Sequence, residues 1–360
     1  MPRLWAAACI AGRWSLLISG RMEVKMKTLK FILHRFLWSL FVLFGLSILI
    51  FCIARVIPGD AATMALGTRA TEEAKEMYRE QNHLNESLPV QYVYWLKSAV
   101  QGDFGQSTQT RRAVATDIKE FLPATLELIL FAAILEIVGG ILLGVLCARY
   151  AGSWFDNLIR IVSYVGISVP AFVWAIIFML LFSFLWPILP TIGRISAGYT
   201  VPSVTGFMLI DSLLAGNFAA MGDAFKHLIM PGTALALTGI AQSARITRGS
   251  MMENVNKDYV GSEIASGMPL RRVYARYVLR PAAAPTIAII ALDIAAMLGN
   301  AFLVEVIYSY PGISKYGINA ILNKDLNAIV AVVLIIGITF LLVNILVDLI
   351  SSVLDPRIRA

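Results

Sequence analysis

Charge is scarce in this sequence: 15% of its 360 residues are Asp, Glu, Lys or Arg, while 58% are hydrophobic and mean hydropathy is +0.74. Soluble domains average about 25% charged and about 45–50% apolar residues. A single water-facing domain is therefore excluded, and the apolar excess belongs in lipid. Cysteine is scarcer still. Cys9, Cys52 and Cys147 lie in apolar runs without a CxxC pair, which excludes a disulfide framework. His34, His83 and His227 are far apart, and no HExxH or Cys/His cluster exists, so metal binding has no support in the sequence. No GxxxxGK[ST] run is present, so the chain has no P-loop of its own, and no GxSxG elbow marks a nucleophile. No catalytic residue is assigned. No internal repeat is evident, so the two-fold signature of many secondary transporters is missing.

What is present is a set of long apolar runs. Six expected spans cover residues 36–54, 124–147, 158–184, 227–244, 282–304 and 328–349, each near the ~20 residues that a bilayer requires. Pro170 marks the third, and Pro231-Gly232 opens the fourth. Residues 1–25 are read as an extension without fold information, the natural start being expected at Met26 with its basic tip Lys27 and Lys30. Residues 26–54 then form the first span, 55–120 an external segment, 121–353 the remaining five-span domain and 354–360 a tail. Within the external segment, Thr71 followed by Glu72 and Glu73 predicts a capped helix. Residues 88–100 predict an amphipathic one, broken by Gly102-Asp103-Phe104-Gly105.

The net charge of +7 would suggest nucleic acid in a soluble chain. Here it fits basic residues held on the inner side of a membrane, with no nucleic-acid partner. The loop between spans four and five holds Arg245, Arg248, Lys257, Arg271, Arg272, Arg276 and Arg280, and the tail holds Arg357 and Arg359. Both termini and this loop are accordingly expected inside.

The stretch 258–285 is the polar, basic interruption in the pattern. Residues 259–266 predict a short helix, with Gly267 suited to a left-handed stop and Pro269 to the first turn of a second helix. On that helix Leu270, Val273, Tyr274, Tyr277 and Val278 form an apolar stripe beside Arg272, Arg276 and Arg280. The residues alone leave two readings open: a hairpin anchored to anionic lipid, or a docking element for a soluble protein.

Acids inside the spans are the other signal. Glu136 and Asp293 lie near the middles of spans two and five, where a charge costs about 2.5–3.5 kcal/mol on insertion scales. Each must face protein or water, or be protonated. A hydrogen bond across helices and a substrate contact are both compatible with that position. Glu127 and Glu305 fall near outer ends, with water expected in reach. Gly139, Gly140, Gly144, Ser163, Gly166, Ser168 and Gly299 allow close helix approach, and Pro170 and Pro231 permit bends. Glu136, Ser168, Pro170, Asp293 and Glu305 are thus the pathway or gating candidates.

The order of short motifs resembles one family. Arg55-Val56-Ile57-Pro58-Gly59-Asp60 is followed by Leu88-Pro89-Val90-Gln91-Tyr92, Gly102-Asp103-Phe104-Gly105-Gln106-Ser107 and Leu122-Pro123-Ala124-Thr125-Leu126-Glu127-Leu128. Ser168-Val169-Pro170, His227-Leu228-Ile229-Met230-Pro231, Glu305 with Tyr310-Pro311-Gly312, and Leu354-Asp355-Pro356-Arg357 complete it. From about Lys27 to Arg359 the chain is similar to membrane permease subunits of bacterial ABC importers for dipeptides and oligopeptides, a family that also includes nickel and glutathione importers. The resemblance implies an all-α, six-span importer permease fold of the first-sibling type, with a long first periplasmic loop. It also implies that residues 247–281 form a cytoplasmic coupling loop for an ATPase. Asp258, Tyr259, Val260, Ala265, Gly267, Arg271 and Arg272 match the loop's residue types, while Gly261, Glu263, Ile264 and Ser266 depart from them. The implied partners are a second permease, two ATP-binding subunits, a periplasmic solute-binding protein and membrane lipid. No cofactor is expected on this chain; ATP is used by the partners. A proton-coupled secondary transporter or channel using Glu136 and Asp293 is the alternative.

Overall fold

The computed structural model describes residues 33–53, 61–67, 69–81 and 83–354. The expectations for residues 1–25, the start at Met26, the Arg55–Asp60 motif and the tail lie outside these residues. Among the described residues the chain is helical, with one isolated bridge between Gln106 and Ala113 as its only β pairing.

The first helix, α1, runs Leu33–Ile53 and is apolar enough to cross a membrane. Three helices follow in the external segment: α2 (Ala61–Leu66), α3 (Glu72–Gln81) and α4 (Leu88–Val100). The α3 cap is as expected, with the Ala74 N–H donating to Thr71 Oγ1 at 3.3 Å. α4 lies along α1, where Tyr92 meets Ser47 at 2.8 Å and Phe51 packs on Tyr92 and Trp95.

The second span falls in α5 (Val114–Arg149), 36 residues long. The third is not one helix. α6 (Trp154–Ser168) and α7 (Ala171–Met179), which continues through a π-helical turn to Leu185, meet at 107°. Pro170 forces the corner: it has no N–H to continue the ladder and pushes Val169 into extended backbone at φ −99°, ψ 122°. After the short α8 (Met208–Leu214) comes α9 (Phe218–Val255), which contains the fourth expected span. α9 is continuous through Pro231, so the proline does not end the helix.

Among the described residues four helices are long and apolar enough to cross a membrane, or five counting the bent pair, and α9 is not among them. The reason is packing. α9 is the central helix, touching α5, α6, α7, α8 and α12, so much of its surface meets protein rather than lipid. Small residues let it approach α5. A side chain at Gly140 would collide with Ser243, and one at Gly144 with Thr247.

Beyond α9 lie α10 (Asp258–Ala265), α11 (Leu270–Arg272), α12 (Leu279–Ile307), α13 (Ile313–Leu322) and α14 (Leu326–Leu354). A π-helical turn over Val273–Val278 joins α11 to α12, making one rod over Leu270–Ile307. The second hairpin helix is therefore the beginning of span five. Three apolar clusters hold the bundle. The central one joins α5, α7, α9 and α12 through residues such as Leu128, Ala175, Met230 and Leu298. Another seats α13 and α14 on the start of α5, and the last roots the hairpin.

Candidate functional site

The hairpin is built on a buried root and an exposed tip. Val260 of α10 is 0% exposed, packed with Ala148, Met251, Val273, Val278 and Ala282. Burying an aliphatic side chain contributes about 1.5–3 kcal/mol relative to leaving it exposed, so this cluster fixes the hairpin to α5, α9 and α12. Asp258, Tyr259, Ala265, Gly267, Arg271 and Arg272 are exposed, as are Ile264 and Leu270. Of the seven residues matched to a coupling loop, Val260 thus serves the root and six face outward. Leu270 was expected in the apolar stripe, but it points away from the root.

Gly267 has φ +80° and ends α10 with the Met268 N–H donating to the Glu263 carbonyl at 3.2 Å. That left-handed stop costs other residues about 1–2 kcal/mol. Pro269 stands immediately before α11, one position ahead of the expected first turn. The tip therefore offers a firm, partly apolar knob flanked by two arginines.

In the middle of the bundle the structure brings Glu136 and Asp293 together. Glu136 of α5 is 0% exposed, and the one group its carboxyl meets is the Asp293 carboxyl of α12, a contact that needs a proton on one of the two. Asp293 also accepts a long 3.5 Å hydrogen bond from Gln242 Nε2 of α9. Gly239 completes the arrangement, since any Cβ there would strike the Glu136 carboxyl. A buried carboxyl without donors is costly when ionised. Among the described residues, two buried carboxyls meet here with few donors around them.

The remaining candidates lie elsewhere. Ser168 and Pro170 sit at the 107° corner, exposed, with Ser168 Oγ donating to its own helix at the Tyr164 carbonyl, 2.8 Å. Glu305 is at the other end of the rod from the hairpin and is 0% exposed, against the expectation of water in reach. Its carboxylate accepts from the Ser314 and Lys315 N–H groups at 3.0 and 3.1 Å, taking the N-terminal donors of α13 that Gly312 has no side chain to cap. Thr125 Oγ1 donates to the same carboxylate and accepts from the Ile313 N–H at 2.9 Å. Glu127, also expected near water, is buried against Arg194 and accepts from the Leu209 N–H at 2.8 Å. In this chain both acids tie segments together, with the rest of the molecule closing over them.

Sequence reasoning missed Gln242 and Gly239, because only the packing of α9 on α5 and α12 brings them to Glu136 and Asp293. It also missed the ion pair of Asp156 with Arg248, at 2.6 and 2.8 Å, which bridges α6 and α9 near the hairpin. Ser153 followed by Asp156 had the spacing of a helix start, and the Asp156 N–H donates to Ser153 Oγ at 3.3 Å. Among the described residues no group of three His, Cys, Asp or Glu side chains is placed to hold a metal ion.

Residues 140–360 match the family described as the inner membrane component of binding-protein-dependent transport systems. Residues 28–129 match its N-terminal companion, described for the membrane component of the same systems. The dipeptide transport system permease protein of Alkalihalophilus pseudofirmus is 35% identical over 331 residues, covering 92% of this chain and 99% of the relative. A probable D,D-dipeptide transport system permease protein of Escherichia coli is 36% identical over 329 residues, covering 91% and 97%. The di/tripeptide transport system permease protein of Pseudomonas aeruginosa is 36% identical over 319 residues, covering 88% and 94%. With its apolar helices, the molecule is a multi-pass inner-membrane protein, and it belongs to the family of inner membrane components of binding-protein-dependent transport systems.

Proposed function

We propose that this chain is the permease subunit of a peptide ABC importer, non-catalytic itself and driven by ATP-binding subunits that dock on the 258–272 tip. The observation that carries the docking is the division of the hairpin, with Val260, Val273 and Val278 buried at its root and Tyr259, Ile264, Leu270, Arg271 and Arg272 exposed at its tip. A lipid anchor needs no rigid root. A partner that transmits force does. Peptide is the cargo because the relatives above are named for dipeptides and di/tripeptides; nickel or glutathione would use the same architecture. In this reading the hairpin faces the cytoplasm, a second permease completes the pathway as a heterodimer, two ATPases sit beneath it, and a periplasmic solute-binding protein delivers substrate. The chain binds no cofactor, and ATP is consumed by the partners. Closure of the ATPases biases the bundle between inward-open and outward-open states, a population shift with the hairpin as its input.

The test is Arg271→Glu with Arg272→Glu in the assembled complex, reading ATP-dependent peptide uptake and co-purification of the ATPases. Uptake is expected to fall with the permease still folded in the membrane. Unchanged uptake with an intact complex would sink the docking assignment. Uptake that follows the proton gradient without any ATPase would instead favour the Glu136–Asp293 pair as a proton-coupled device.

A further inference from the structure

A cavity of about 210 Å³ opens near the hairpin end, where α5, α6 and α9 meet. Cys147, Ile159 and Ala244 form apolar parts of its lining, and Arg160, Arg245 and Arg248 contribute the charge. Arg248 is neutralised by Asp156, which it grips at 2.6 and 2.8 Å. Neither of the other two forms an ion pair with a described residue, and Arg160 donates only to the neutral side chain of Asn157. Three guanidiniums against one carboxylate leave two positive charges at an apolar hole.

Exposed aromatic side chains lie close by. Tyr150 and Trp154 flank the turn between α5 and α6 and are exposed, as is Tyr164 beside the cavity. Exposed Trp and Tyr collect at the level of lipid headgroups. Arg160 lies six residues beyond Trp154, about 9 Å along the helix. On the same helix Leu158, Ile161, Val162 and Val165 expose an apolar flank suited to acyl chains.

We infer that this cavity binds the headgroup of an anionic phospholipid, its phosphate held by Arg160 and Arg245 and its acyl chains lying along α6. The guanidinium fork matches phosphate oxygens, and the apolar floor and flank distinguish a lipid from a free ion. Arg248, whose pair with Asp156 ties α6 to the central helix, lines the same cavity, so a bound lipid would stiffen the bundle beside the hairpin.

The experiment is native mass spectrometry of the full-length chain with its partner subunits, released from membranes and re-exposed to phosphatidylglycerol or phosphatidylethanolamine. Phosphatidylglycerol is expected to be retained in preference. Arg160→Gln with Arg245→Gln should weaken retention by roughly fivefold per arginine, while Arg160→Lys with Arg245→Lys, which keeps the charge but loses the fork, should fall between that variant and the wild type. Equal retention of the two lipids, or a glutamine double variant that holds phosphatidylglycerol as before, would overturn the assignment. So would inorganic phosphate binding to delipidated protein as tightly as the lipid does. The wild-type preference alone decides if the glutamine variant does not assemble.

Discussion

The buried carboxylates at the end away from the hairpin and those in the middle of the bundle are the same chemical groups under opposite treatment. At that end Glu305 accepts from two backbone N–H groups and Thr125, and Glu127 is clasped by Arg194. Asp325 accepts from Ser107 Oγ at 2.6 Å, and Asp117 from Tyr316 Oη at 3.0 Å. Apart from the two local N–H bonds to Glu305, each joins parts of the chain far apart in sequence. In the middle, among the described residues, Glu136 and Asp293 have no cation and no backbone N–H, only each other and one long bond from Gln242. A charge that is fully provided for holds structure together. One left unprovided for costs stability and persists for another reason.

The sharpest break of this contrast is Arg194→Met. It strands the Glu127 carboxylate in a dry site and should cost about 3–5 kcal/mol, read as a large drop in unfolding midpoint of the detergent-solubilised chain. Adding Glu127→Gln should recover much of the loss; no recovery would mean that the pair is not the unit described. Glu305→Ala comes next, because α13 loses the acceptor for its first turn and Thr125 loses its partner. About 2–3 kcal/mol is expected, with hydrogen exchange rising first at Ser314 and Lys315.

The middle acids should behave the other way. Glu136→Gln is expected to change stability by less than about 1 kcal/mol while lowering ATP-dependent uptake. A variant that transports normally would return Glu136 to plain packing. Gly239→Ala, which pushes a methyl group into the Glu136 carboxyl, should cost about 1–3 kcal/mol by overpacking.

The smallest effect is a pH dependence away from the membrane. Burial raises the Asp211 pKa, but donation from the Thr205 hydroxyl and the N–H groups of Thr205, Val204 and Gly206 outweighs it and holds the value below the ordinary carboxylate range. Its stabilising contribution is then complete above the ordinary aspartate value and drains away as pH falls through the lowered one. Asp211→Asn should flatten the acid limb of stability against pH, measured below about pH 4; an unchanged limb would assign acid sensitivity elsewhere.

How far the sequence reached follows from the range of the forces involved. α3, α4 and the Gly267 stop are set by neighbours within a few residues, and they stand where local pattern put them. The long apolar helices were legible because lipid reads composition. α9 was only partly so, since a helix wrapped in protein need not be apolar throughout. The outer acids misled for a related reason. Thr125 and Glu305 are 180 positions apart, so nothing beside either one announces that water is shut out. The corner at Pro170 was signalled, but its 107° angle comes from how α7 packs on α9 and α12. Glu136 and Asp293 were found by their cost, but Gly239, which makes space for the carboxyl, leaves no mark except a missing side chain.

The joining of α11 to α12 has a mechanical consequence. From Leu270 to Ile307 the backbone runs 38 residues without a loop, about 57 Å of helix. Val273, Val278 and Ala282 clamp it near one end, making that cluster a fulcrum with a short arm on the tip side and a long arm beyond. Beyond it Met297, Leu298, Ala301 and Val304 are packed in the central cluster, so a displacement of the tip would be passed into the bundle interior through unbroken helix. The π-helical turn over Val273–Val278, wider than its neighbours, lies at the pivot itself, where a rod under torque yields first.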